Sequence, residues 1–144
     1  MYDGSDGNLV NLRKAILDNN LEMFEYMLHP VAGNIIAMEL QDSPDLFWKT
    51  FTSLPQKTFE PEVSARIFTA LDNLNFSCSY LSELLRHCSR ASLPILYWVV
   101  SRLARCETNP GHKVLARIDS RGVNQSARKY FISVWNSIHP KDVI

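Results

Sequence analysis

Apolar positions along this chain recur at three- and four-residue steps, and polar or proline-containing breaks interrupt them at short intervals. In "NLVNLRKAIL", Leu9, Leu12 and Ile16 share one helical face, with Asn8 as the expected cap and Asn19-Asn20 as the stop. "LEMFEYML" follows at once, with Leu21, Phe24, Met27 and Leu28, and is expected to end before Pro30. "GNIIAMELQD" reads as another short helix. Ser43-Pro44-Asp45 combines a capping hydroxyl, a proline suited to the first helical position and an acid favoured by the helix dipole. The helix it opens carries Phe47, Trp48, Phe51 and Leu54, with Pro55 closing it.

The same grammar continues. Pro61 opens a helix bearing Val63, Ile67, Leu71 and Leu74. Ser79 is expected to cap "YLSELLRHC", Ser92 to cap "LPILYWVVSRLA", and Asn109-Pro110 to begin "GHKVLARIDS". After Gly122, a left-handed stop, comes a last helix with Val123, Ala127, Phe131, Val134 and Ile138 on one face, ended by His139-Pro140. Strand-type alternation is absent over any useful length. The pattern predicts an all-α protein of stacked antiparallel helix pairs, with a closed helical bundle as the alternative.

Helix, short turn and helix recur as a unit. The second helices begin near Leu21, Glu62, Leu93 and Val123, at steps of 41, 31 and 30 residues. Such spacing is what stacked helical pairs produce, since one pair cannot bury its apolar face alone. "LRKAILDNNLEMFEYML" and "LLRHCSRASLPILYWVV" resemble the inner helix, turn and outer helix of the ankyrin repeat, with Leu84, His87 and Leu93 at the offsets of Leu12, Ala15 and Leu21. Neither carries the family's Thr-Pro-Leu-His start. The resemblance implies a protein-binding scaffold whose turns contact the partner: Asp18, Asn19 and Asn20 in one unit, Ser89 and Arg90 in the other.

Composition narrows the function classes. At 144 residues, 46% hydrophobic and 21% charged, the chain is expected to form a single helical domain over 1–144, with a polar N-terminus at about 1–7. The acidic "MYDGSDGN" is no secretory signal, and "LPILYWVV" falls short of the roughly 20 residues of a membrane span. Three cysteines without paired spacing point to a reducing compartment, so the expected location is intracellular and cytoplasmic. No C-x₂-C or H-x₃-H ligand pair, phosphate loop or marked nucleophile–base pair occurs. No metal, cofactor or enzymatic activity is therefore expected. Cys78 and Cys88 are read as small core residues, and Trp48, Trp98 and Trp135 as core anchors.

Net charge is zero but unevenly spread: residues 1–80 carry 5 Lys/Arg against 11 Asp/Glu, and residues 81–144 carry 10 against 4. Arg117, Arg121, Arg128 and Lys129, with Arg102, Arg105 and Lys113, would form a positive end able to dock an acidic partner protein or a second copy. "ARIDSRGVNQSARKYF" also has the look of a DNA-reading helix-turn-helix. The sequence thus reads as a non-enzymatic protein–protein interaction module. A nucleic-acid-binding helical protein using the basic C-terminal half is the alternative.

Overall fold

The computed structural model describes residues 7–52, 54 and 60–144, and every regular element among them is helical. The chain divides into two compact units, residues 1–76 and 77–144.

The first unit contains α1 (Asn8–Leu17), α2 (Leu21–Met27), α3 (Pro30–Leu40), α4 (Pro44–Phe51) and α5 (Pro61–Leu71). Helix α1 packs on α2, α3 and α4, α3 packs on α4, and α2 packs on α5. These helices are too short to be stable alone in water, so their ends must be held. The α1–α2 turn meets this need within three residues. Asn19 takes φ +55°, a left-handed conformation that asparagine tolerates better than most residues. Its N–H donates to Ile16 O (3.0 Å), while Asn20 N–H donates to Ala15 O (2.9 Å). This is a Schellman closure. The Asn20 side chain then accepts from Met23 N–H (3.1 Å) and so caps the next helix.

Ser43 caps α4 in the expected way, accepting from Leu46 N–H at 3.1 Å. That helix brings Phe47 and Phe51 into an aromatic cluster: Phe47 meets Phe51 at 4.9 Å and Phe76 at 5.7 Å, and Phe24 meets Phe51 edge-on at 6.4 Å. These rings, with Leu12, Ile16, Leu28, Ile36 and Leu40, are buried.

The second unit contains α6 (Cys78–Leu84), a 3₁₀ turn (Leu85–Arg90), α7 (Leu93–Cys106), α8 (Gly111–Ser120) and α9 (Gln125–Ile138). Helix α7 runs along α9, with Tyr97 stacked on Tyr130 at 5.0 Å, and Trp98 and Trp135 are both buried. Gly122 ends the α8 turn at φ +68°, as expected. The chain after α9 folds back as a strap. Asp142 accepts from Gly111 N–H through Oδ2 (2.8 Å) and from Trp135 Nε1 through its carbonyl (2.7 Å). His139 stacks on Trp135 at 3.9 Å and pairs with Ala104 O at 3.0 Å.

Several boundaries differ from the sequence reading. Gly7, not Asn8, holds the cap position of α1, because the Asn8 amide donates instead to Glu39 Oε1 (3.0 Å). Pro30 starts α3 rather than merely stopping α2; a proline fits there because the first helical N–H needs no partner. Helix α4 ends at Phe51, leaving Leu54 outside it, and Pro55 lies outside the described residues. Ser77, not Ser79, caps α6 by accepting from Tyr80 N–H (3.1 Å). The helix expected to run through Cys88 gives way to the 3₁₀ turn, where His87 is non-helical. Val123 precedes α9, which Asn124 caps.

Gly111 offers a direct test of how tightly the strap is seated. A Cβ there would stand 2.6 Å from Trp135 Nε1 and 2.9 Å from Ile144 Cγ2. Gly111→Ala should lower unfolding free energy by about 1–3 kcal/mol, the usual range for overpacking, read as a lower midpoint in urea with an unchanged slope.

Candidate functional site

The turn residues proposed from the sequence are occupied with holding the backbone. Asp18 is the exposed C-cap of α1, Asn19 carries the left-handed turn, and half-buried Asn20 caps α2. Beneath them Ala15, Ile16, Leu21, Phe24, Val63 and Ile67 line a pocket of about 20 Å³, room for roughly one water. In the second unit, exposed Ser89 precedes Arg90, which closes the 3₁₀ turn.

Two of the four basic candidates are engaged within their own unit. Arg117 Nη1 donates to Glu107 Oε2 at 2.8 Å, and Arg128 Nε donates to Asp119 Oδ1 at 2.6 Å. Arg121 is the half-buried C-cap of α8, with its Nε buried and lacking a hydrogen-bond partner. Lys129 is exposed. These side chains surround the α8–α9 turn, but they do not form a row of free cations.

Glu107 organises an open cleft in the second unit, lined also by Cys78, Ser82, Cys106, Asn109 and Arg117. Its Oε1 accepts from the backbone N–H of Thr108 (3.1 Å) and Asn109 (3.2 Å) and from the Asn109 amide (2.7 Å). Burial opposes its ionisation, but the Arg117 and Asn109 bonds outweigh that and hold it below the usual carboxylate range. Cys78 is half-buried rather than part of the core, and its thiol lies 3.8 Å from Glu107 Oε2. Burial, the hydrogen-bonded Cys106 thiol and the Glu107 charge together push it up to about 12. Both groups are therefore shifted away from neutrality, opposite to what a thiolate nucleophile or a general base requires. Cys88 is also half-buried, and burial raises its pKa. Among the described residues, no three His, Cys, Asp or Glu side chains are grouped to hold a metal ion.

The first unit carries a surface that sequence reasoning missed. Helix α3 is apolar on more than one side. Gly33, Ile36, Ala37 and Leu40 are buried, yet Val31 (68% exposed), Ile35 (47%) and Met38 (66%) form an outward stripe at the i, i+4, i+7 spacing of one helical face. Helix α2 divides in the same manner. Phe24 and Leu28 are buried, while Tyr26 stands 69% exposed. Between the two helices, Met23, Met27, Ala32 and Ile36 line an open groove of about 370 Å³, with Asn8, Asn11 and His29 at its polar edge. A contiguous exposed apolar surface marks an interaction site more often than scattered single residues do.

The surrounding charge is one-sided. From Ala15 to Trp48 the chain has no lysine or arginine, against Asp18, Glu22, Glu25, Glu39, Asp42 and Asp45. Of these, Glu25 is bound bidentately by Arg66, with Nε to Oε2 at 3.2 Å. Glu39 sits at the groove edge through its bond from Asn8. Asp42 is exposed in the turn that follows α3, four residues after Met38. The signal available in the sequence was the apolar excess of "VAGNIIAMEL" together with this lack of cations.

No protein-family model, curated protein or solved structure matches the chain. Among the described residues, no helix is long and apolar enough to cross a membrane.

The Glu107 knot yields a pH dependence. A carboxylate depressed on folding stabilises fully above its ordinary value of 4.5, and its contribution disappears as pH falls through the lower folded value. Glu107→Gln should lose about 1.5–3 kcal/mol at pH 7, the range for a hydrogen bond to a charged group. It should also flatten the loss of stability on acidification below the ordinary carboxylate value. Urea melts of parent and variant at a series of acidic pH values would check both.

Proposed function

We propose that the chain is a non-enzymatic protein-interaction module, and that the α2–α3 face of its first unit binds the partner. The observation that carries this reading is the exposed Val31–Ile35–Met38 stripe beside the methionine-lined groove. Three large apolar side chains facing water on one helix gain free energy once covered, at roughly 25 cal/mol per Å² of apolar surface removed from solvent. The scaffold is of the ankyrin-like helix-pair kind, and the consecutive pairs α1–α2 and α8–α9, each closed by a short turn, support it.

The turn residues Asp18, Asn19 and Asn20 act in this reading mainly by fixing the entry angle of α2. Arg117 and Arg128 serve the second unit through their own acids. That engagement disfavours nucleic-acid binding, which draws on cations free to meet phosphates. The protonated Cys78 and the fully bonded Glu107 support a non-enzymatic role for the second unit's cleft.

The test is affinity capture from cells of the source, with and without nuclease, comparing the parent with Ile35→Glu and Met38→Glu. Both sites are exposed, so the variants should melt within about 0.5 kcal/mol of the parent. The expected result is a nuclease-resistant protein band that both variants lose. Capture that survives both substitutions, or that nuclease abolishes, would overturn the reading.

A further inference from the structure

Resting on that reading, we infer that the partner element seated on the α2–α3 face is an amphipathic α-helix with basic flanks.

The shape of the site selects a helix. Its apolar walls are α2 and α3, whose lining residues recur at i, i+4 as Met23/Met27 and Ala32/Ile36, and α1 closes one side with Asn8 and Asn11. A third helix can lay a ridge of side chains into such a groove. An extended peptide cannot be accommodated on the same terms. Strand addition would need a sheet edge to satisfy the peptide's backbone N–H and C=O groups, and among the described residues there is no strand. A helix brings those bonds with it, so only side chains are desolvated. Two of the chain's four methionines, Met23 and Met27, line the groove, and a third, Met38, stands on the exposed stripe of α3. Unbranched thioethers repack around differing apolar anchors at low energetic cost.

Charge selects the flanks. Glu22 lies one helical turn before Tyr26 and within the field of Arg66, Glu39 is bonded to the groove residue Asn8, and Asp42 is exposed in the turn after α3. Neither α2 nor α3 has a basic residue in its last turn. Residues 1–76 carry 5 Lys/Arg and 11 Asp/Glu, a net of −6. A partner with lysine or arginine bordering its apolar ridge meets these groups favourably and is steered to them. An anionic membrane or nucleic acid is repelled. A second copy is the poorer occupant. Pairing this face with itself sets acid against acid, and the only large apolar residues exposed in the described second unit are Ile138 and Val143.

The experiment uses the full chain and a fluorescent synthetic peptide of about 18 residues, long enough to be helical. Leucines at i, i+3, i+4 and i+7 are set among lysines. The first control replaces every lysine by glutamate, and the second scrambles the leucine–lysine order. Anisotropy titrations should give micromolar binding of the leucine–lysine helix, with about a tenfold or greater loss for each control peptide and for Ile35→Glu. Glu22→Lys combined with Asp42→Lys alters only exposed polar sites. It should weaken the leucine–lysine peptide and strengthen the leucine–glutamate one.

Equal binding of the scrambled peptide would reduce the effect to bulk charge, and equal binding of the glutamate peptide would remove the charge selection. Either result overturns the inference. So would a dimer that Ile35→Glu dissociates, or binding of anionic vesicles through this face. If no peptide binds while Ile35→Glu still abolishes cellular capture, the helix inference fails and the interaction reading stands. If capture is also unaffected, both fail.

Discussion

Helices of seven to fourteen residues are marginal by themselves in water. Each one here depends on how its ends are closed and on which of its sides is covered. At the ends, short polar side chains do the work. Asn19 and Asn20 close one helix and open the next within a single turn, Ser43 and Ser77 cap α4 and α6, and Asp142 supplies the acceptor at the start of α8, where Pro110 has no side-chain oxygen to offer. Because closure is so local, little chain is spent on connections. The apolar faces are then brought together by the aromatic clusters around Phe47 in one unit and Trp135 in the other.

The same constraint explains why α3 stands out. Its inner residues Ile36, Ala37 and Leu40 suffice to dock it, yet the outer line of Val31, Ile35 and Met38 is as apolar as many core faces. A helix that is hydrophobic all round is ordinarily buried all round. Here Val31, Ile35 and Met38 face solvent, beside a groove whose lining is free of lysine and arginine. That surplus distinguishes α3 from α7, whose apolar run "LPILYWVV" is taken up almost wholly by the core.

Much of the all-helical architecture was legible from spacing alone, because the capping residues and prolines act through local geometry. Ser43-Pro44-Asp45, Pro61 and Gly122 all mark boundaries where the residue type dictates the backbone, whereas Ser92 stands at the cap position of α7 without a side-chain cap bond. Errors arose where a side chain had a competing distant partner. Asn8 left its cap role for Glu39, thirty-one residues away, and no local rule reveals that. The partners of two basic candidates are hidden in the same way. Arg117 and Arg128 look free in the sequence, but each finds an acid about ten residues away across a turn. The apolar face of α3 was obscured differently: "GNIIAMELQD" identifies a helix, but only packing decides which of its apolar residues are left over.

In the proposed function the outer face of α3 is a binding surface and not part of the core. Replacing Val31, Ile35 and Met38 together with glutamine, a good helix former, tests it most directly through thermal unfolding followed by far-ultraviolet circular dichroism. The expected midpoint lies within a few degrees of the parent, since exposed substitutions each shift stability by about 0.5 kcal/mol or less. A collapse of the transition, as expected when buried side chains worth about 2–5 kcal/mol each are lost, would contradict it and return this face to the core.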